Sequence, residues 1–281
     1  MTLKRNCLKF LASGKVKDLY DVDEEHLQFN FSDRVSAFDV KFKQDIPHKG
    51  EILCKFAEFW FHELSVSNHF VRRVSDSEMI VKKMKMIPME CVVRGYFYGS
   101  LIGRWKKGEV SVPKGTDTTM AAKLPIPVFD PTTKAEHDIP VDKSTALKMN
   151  LVSDEQYDWL EETSIKIYKK MAKIADDAGF ILADLKLEFG MLDGVITLGD
   201  SIGPDEYRLW PKSSYEIGVI QEAYDKQLLR DWLAANGFQK QFDDARNSGK
   251  EPVAPQIPEE IISKMTQRYV AAYEKITGNK I

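Results

Sequence analysis

The stretch ADLKLEFGMLDGVITLGD, Ala183–Asp200, reads as a strand, a tight turn and a second strand. Leu185, Leu187 and Phe189 share one parity, and Asp184, Lys186 and Glu188 share the other. An extended chain here therefore has one apolar face and one densely charged face. Two registers close the hairpin. A two-residue Asp193-Gly194 turn pairs Leu192 with Val195 and sends Asp200 to the face opposite Glu188. A three-residue Leu192-Asp193-Gly194 loop pairs Met191 with Val195 and sets Asp200 opposite Lys186, on the face of Glu188. The second register is expected, because the first buries Asp200 among leucines; it carries Leu198 onto the charged face.

Two carboxylates without a histidine form the ligand set of a hard cation such as Mg²⁺, which takes further ligands from phosphates. Lys186 between them is placed to hold a phosphate or a carboxylate. The same alternation also describes a solvated sheet face whose charges pair across strands. The rest of the chain decides between the two.

The 281 residues are 43% hydrophobic, enough for one large or two modest cores. A net charge of -3 gives no global attraction to nucleic acid or an anionic membrane, so a bound polyanion is expected to be small. Cys7, Cys54 and Cys91 form no CxxC pair, and no run of 18 apolar residues occurs, which points to a reducing, cytoplasmic setting without a membrane span.

GKVKDLYDV and HLQFNFSD flank DEE as a hairpin, and HFVRRVSD, EMIVKKMKM and PMECVVRGYFY read as further strands. Between them ILCKFAEFWFHEL is an amphipathic helix. Residues 1–85 are thus expected to form a β-rich lobe and 86–281 an α+β lobe. Ser111–Ser144, with five prolines, reads as a long functional loop. Ser153-x-x-Gln156 is a capping box for a helix whose stripe is Tyr157, Leu160, Ser164, Ile167, Met171, Ile174 and Ala178. Ile220–Asn236 and Glu259–Thr277 read as two more helices, each followed by glycine.

Gly14-Lys15-Val16-Lys17 places a glycine at a hairpin mouth with two lysines expected to share one strand face, but lacks the full GxxxxGK[ST] pattern. In CVVRGYFYGSLIGRW, Arg94 lies on a strand and Ser100 is suited to cap the next helix, an arrangement that attracts anions. Gly95, Gly99 and Gly103 equally suit close packing. SDRVSAFDV gathers aspartates, serines and an arginine in what reads as a loop, and Asp205 and Arg208 stand on what reads as a Gly/Pro-bounded loop in GDSIGPDEYRLWP, immediately after the acidic strand. HELSVSNH is not a zincin motif, because Val66 holds the place of the second histidine; His62 and His69 read as structural or exposed.

Taken in order, GKVKDLY, DRVSAFDV, VKKMKMIPMECVVRGYFYGS, TTKAEHD, DLKLEFG and LGDSIGPDEYRLWP resemble the SAICAR synthetase (phosphoribosylaminoimidazole-succinocarboxamide synthase) family of purine biosynthesis. The likeness runs from Gly14 to about Pro211. It implies an α+β fold similar in plan to ATP-grasp and kinase-like folds. It also implies ATP- and Mg²⁺-dependent joining of an imidazole carboxylate ribotide to L-aspartate through an acyl phosphate. By the same resemblance Lys15 and Lys17 contact ATP phosphates, the linker from Lys82 through Met84 to Met86 meets adenine, and Glu188 and Asp200 hold Mg²⁺. Arg94, Ser100 and Arg208 clasp the ribotide 5′-phosphate, and Lys186 and Asp205 lie near the activated carboxylate. Ser36, Asp39, Lys134, His137 and Asp138 line the substrate side. The chain departs from the family pattern at Ser201, where a second acid is common, at the bulky Glu206 and Tyr207, and at Ile139-Pro140. A phosphotransferase acting on a hydroxyl lacks its HRD-type loop here. An RNA-binding module built on VKKMKM is opposed by the net charge and the acidic face.

Overall fold

The computed structural model describes residues 8–38, 40–134, 139–224 and 226–281. The N-terminal strands are β1 (Lys9–Ser13), β2 (Lys17–Asp21), β3 (His26–Phe31), β4 (Arg34–Ala37) and β5 (Val40–Asp45). Helix α1 (Lys49–Glu63) follows, then β6 (Phe70–Arg73) and β7 (Glu78–Lys82). Strands β1, β2, β3, β7 and β6 form one antiparallel sheet in that spatial order, and β4 and β5 form a separate hairpin. SDRVSAFDV is therefore mostly strand rather than loop, with Ser36 buried in β4.

After the short link Lys83-Met84 come β8 (Lys85–Tyr96), α2 (Ser100–Lys106), β9 (Lys123–Phe129), β10 (Thr132–Thr133), α3 (Lys143–Lys148), α4 (Asp154–Asp177), β11 (Phe180–Leu192), β12 (Val195–Gly199) and β13 (Tyr207–Pro211). The Ser111–Ser144 segment is thus partly sheet. Its Pro125 and Pro127 are tolerated because, among the described residues, β9 pairs with β8 alone. Helices α5 (Gln227–Ala235), α6 (Phe238–Asn247) and α7 (Glu259–Thr277) complete the chain. The expected helix from Ile220 begins only at Gln227, because the Gln221 side chain bonds the Glu216 and Val219 carbonyls and holds that stretch irregular.

The second sheet is centred on β11, flanked by β8 on one side and by β12 and β13 on the other. Helix α4 starts with the capping box formed by Ser153 and Gln156. It lies against the apolar face of β11, where Trp159 meets the Phe189 ring edge-on at 5.7 Å. Its buried stripe includes Tyr168 and Ala175 in place of Ile174 and Ala178. Tyr168 donates to the Leu182 carbonyl at 2.7 Å, beneath Gly95 of β8.

The β11–β12 register corrects the sequence expectation. Leu192 pairs with Val195, Phe189 with Leu198 and Glu188 with Gly199 around a two-residue turn. Asp193 and Gly194 both have positive φ, 50° and 79°, as a type I′ turn requires. Leu198 therefore lies on the apolar side, fully buried. Asp200 escapes burial among leucines by another route: the ladder ends at Gly199, and Asp200 adopts φ 54°, which breaks the alternation of the strand. Among the described residues no helix is long and apolar enough to cross a membrane.

Candidate active site

The charged face of β11 is read row by row from its pairings. Asp184 stands between Arg94 of β8 and Arg208 of β13. Lys186 stands opposite Val92, and its amide donates to the Glu206 carbonyl at 2.8 Å, continuing the β13 register by one residue. Glu188 lies between Glu90 of β8 and Gly199 of β12. Each row is two residues from the next, or about 7 Å along the strand.

At the Glu188 end the acids are met by lysines. Lys186 Nζ lies 3.0 Å from Glu90 Oε1 and 3.1 Å from Glu188 Oε1, and Lys134 Nζ binds Glu188 Oε2. Burial opposes the Lys186 charge, but Glu188 and Glu90 outweigh it and raise the pKa above the ordinary lysine range. Lys17 Nζ, reaching across from β2, binds Asp200 Oδ1 and donates to Ser201 Oγ at 2.8 Å. Ser201, which replaces an expected acid, thus meets the lysine rather than the carboxylate. Burial alone raises the Asp200 carboxyl, yet Lys17 and Lys186 hold it well below the usual carboxylate range.

His69 fixes the backbone of this corner. It is buried, with Nε2 2.9 Å from the Asp200 carbonyl, and burial pushes its pKa down to about 4. The neutral ring therefore donates from Nε2. The His69 amide donates to the Leu198 carbonyl at 3.1 Å, and the Leu198 amide to the Ser67 carbonyl at 2.9 Å.

At the Asp184 end lies an arginine cluster. Arg94 Nε binds Asp130 Oδ2 at 2.5 Å, Arg104 Nη1 reaches both Asp130 oxygens at 2.7 and 2.8 Å, and Arg208 Nη1 binds Asp184 Oδ2. Three guanidinium groups against two carboxylates leave one surplus positive charge, which favours an anion. Ser100 does not cap α2: Gly99 does, at φ 63°, and the Ser100 hydroxyl accepts from Arg94 Nη2 at 3.1 Å. A Cβ at Gly99 would meet the Arg208 guanidinium nitrogens at 3.0 Å, so that glycine does serve close approach, whereas Gly103 has nothing within 4 Å.

Asp205 precedes β13 and is more enclosed than expected, its side chain 5% exposed. It accepts from Tyr269 Oη at 3.0 Å and pairs with Lys49 at 3.0 Å and Lys226 at 3.3 Å. Burial is overridden by Lys226 and Lys49, which hold the Asp205 carboxyl far below its usual range. Its neighbour Glu206 accepts from the Gly203 amide at 3.1 Å and is pushed up to about 8 by burial and by Asp205.

Of the other expected residues, Lys15 lies in the β1–β2 turn rather than on a strand face with Lys17. Lys82 closes β7, Met84 lies in the link to β8, and Met86 lies on β8. A Cβ at Gly199 would overlap Met84 Cε and lie 3.6 Å from Met86 Cε, so both methionines lie against the end of β12. Arg208 belongs to β13, not to a loop. Asp39, His137 and Asp138 fall outside the described residues. Sequence reasoning gave no role to Glu90, Arg104, Asp130, Lys49 and Lys226, and of its two readings of His69 the structural one holds. Glu90 had a local signal, since it shares the parity of Arg94 on β8.

A family model described as SAICAR synthetase matches residues 10–245. The phosphoribosylaminoimidazole-succinocarboxamide synthase of Nitrosopumilus maritimus (strain SCM1) is 76% identical over 98% of this chain and 100% of its own length. The Candida maltosa enzyme of the same name is 38% identical over 96% of this chain and 95% of its own. Among solved structures, the SAICAR-synthase of Saccharomyces cerevisiae complexed with SAICAR superposes with a TM-score of 0.82 at 33% identity, covering 100% of this chain and 99% of that one. A type-2 SAICAR synthetase in complex with ADP gives 0.73 at 26% identity, covering 96% and 98%. With one charged strand face, an arginine cluster at one end and a lysine–carboxylate cluster at the other, and relatives matched over nearly their full lengths, the chain belongs to the SAICAR synthetase family.

Proposed function

We infer that this chain is an ATP-dependent ligase that joins 5-amino-1-(5-phosphoribosyl)imidazole-4-carboxylate to L-aspartate, giving SAICAR, ADP and phosphate. The observation that carries the reading is the row order on β11, with the arginine cluster about 7 Å from Lys186 and the acidic end about 7 Å further. A ribotide with its phosphate at one end and its reacting carboxylate at the other fits that order. The 5′-phosphate is assigned to Arg94, Ser100 and Arg208, with Arg104 adding charge. The imidazole carboxylate then reaches Lys186, near Asp205, while Ser36, Asp39, Lys134, His137 and Asp138 line the substrate side.

ATP is assigned to the cleft between the two sheets. The linker from Lys82 through Met84 to Met86 offers backbone groups to adenine, and Lys15 and Lys17 face the phosphates. The division into a nucleotide lobe, residues 1–85, and a second lobe, 86–281, follows that linker. The donor chemistry of Glu188 and Asp200 fits Mg²⁺: both are hard oxygen donors, and their charge is balanced by lysine ammonium groups. Bound there, the ion would neutralise charge on the transferred phosphoryl group.

A carboxylate is a poor electrophile, so its oxygen first attacks the γ-phosphoryl group, releasing ADP and forming an acyl phosphate. The aspartate amine attacks the acyl carbon and phosphate leaves. Lys186 stabilises negative oxygens throughout, and no protein nucleophile is required. With no nucleic-acid surface or membrane span read from the chain, a cytoplasmic small-molecule enzyme is the consistent setting. The test is ADP release with ribotide and aspartate, omitting each in turn. ADP formed in the absence of both substrates would remove the ligase reading.

A further inference from the structure

The strand rows leave Glu206 on the reaction face without a role. Continuing the β13 register by one residue sets Glu206 opposite Lys186, in the middle row, between the arginine cluster and the Glu188 row. Its backbone is fixed by the Lys186 amide, and its carboxyl group is held by the Gly203 amide. Leu53 closes on Gly203 from α1, where a Cβ would stand 3.0 Å from Leu53 Cδ2, so the turn carrying this contact is tightly packed. Glu206 is half-buried, and the charged groups around it are Asp205, Lys186, Lys17 and Asp200.

Resting on the ligase reading above, we propose that Glu206 is the catalytic base that takes a proton from the amino group of the incoming amino acid. The amine reaches the enzyme as an ammonium ion and has no lone pair until one proton leaves. The Glu206 carboxylate accepts that proton and becomes the carboxylic acid. The neutral amine attacks the acyl carbon, the C–N bond forms, and the C–O bond to phosphorus-bound oxygen breaks with the electron pair going to phosphate. The second proton of the former ammonium leaves with the phosphate, which departs as HPO₄²⁻.

The adjacent Asp205 is poorly suited to this step. Three donors, from Lys49, Lys226 and Tyr269, converge on its carboxylate and stabilise the ionised form. The two neighbouring acids are driven apart, Asp205 downward and Glu206 up to about 8, the pattern that separates a permanent anion from a proton acceptor working near neutrality.

The experiment compares two nucleophiles in the full-length enzyme with ATP and ribotide: L-aspartate, which must lose a proton, and hydroxylamine, which is already unprotonated at neutral pH. Glu206→Gln is expected to lower the aspartate-dependent rate about 100-fold relative to the hydroxylamine-dependent rate, within the 10²–10⁴ range of general-base contributions. It should also abolish the rise in aspartate-dependent kcat expected of the wild-type enzyme as pH approaches 8. Glu206→Asp, which keeps a carboxylate, is expected to recover part of the loss and the pH limb. An equal fall with both nucleophiles marks Glu206 as merely structural and overturns the proposal, as does an unchanged aspartate rate. A wild-type enzyme that releases no ADP with ribotide and either nucleophile instead removes the ligase reading itself, and the base with it.

Discussion

Replacing Gly95 with alanine tests the packing that holds the reaction face. The added Cβ would overlap the Tyr168 hydroxyl and stand 2.6 Å from its ring carbon Cζ. Tyr168 cannot yield freely, because its hydroxyl donates to the Leu182 carbonyl at 2.7 Å inside the β11–α4 interface. Overpacking a buried site costs about 1–3 kcal/mol, and a stranded Leu182 carbonyl adds about 1–3 kcal/mol. Against this, alanine recovers up to about 1 kcal/mol of chain entropy relative to glycine. The net expectation is a loss of about 1–5 kcal/mol, read as a shift in the urea midpoint at unchanged m. Tyr168→Phe alone should cost about 1–3 kcal/mol, because it strands the same Leu182 carbonyl. The double variant should cost less than the sum of the two, because removing the hydroxyl removes the worst overlap. Gly95→Ala within 0.5 kcal/mol of wild type, or strict additivity in the cycle, would refute the argument.

Four further outcomes are expected. Glu188→Gln should cripple turnover and weaken the dependence of rate on Mg²⁺, whereas Lys186→Met should lower kcat at least 100-fold with the Mg²⁺ dependence retained; near-normal kcat/KM in both contradicts the assignments. Arg104→Ala should raise KM for the ribotide about 10-fold or more while KM for ATP stays constant, since one charge-assisted contact is worth about 1.5–3 kcal/mol; equal effects on both substrates would refute the assignment. Gly199→Ala should raise KM for ATP and leave ribotide KM unchanged, because its Cβ displaces Met84 at the nucleotide end. Glu206, raised from 4.5 to about 8 on folding, holds its proton more tightly in the native state, so its contribution to stability is full below pH 4.5 and is lost as pH rises to about 8. Denaturant melts of Glu206→Gln should therefore lose less stability than wild type between those limits.

What the sequence revealed depended on how local the cause was. The α4 start and the bounds of α7 were legible because a capping box and a proline–glycine frame act within a turn or two. Helix α6 was missed because a single residue, Phe242, is buried along it. The strand parity of β11 disclosed Asp184, Lys186 and Glu188, yet the hairpin register was misjudged. Burial of Leu198 and the left-handed turn at Asp200 solve together a conflict that strict alternation made look irreconcilable. Asp130, His69, Lys49 and Lys226 enter the site from elements remote in the chain, so no spacing rule marks them, whereas Arg104 stands one helical turn after Ser100 and was passed over.

The hydrogen bonds that carry Ser67, Leu198, His69 and Asp200 in succession make the nucleotide-side corner a seam between the two sheets. Opening the molecule there requires breaking backbone bonds, while Lys17 and Lys49 reach Asp200 and Asp205 from the N-terminal part through side-chain ion pairs. Any breathing motion should then swing about the seam like a book about its spine. The ribotide and the amino acid would enter across the fore-edge, and ATP would be gripped nearest the binding.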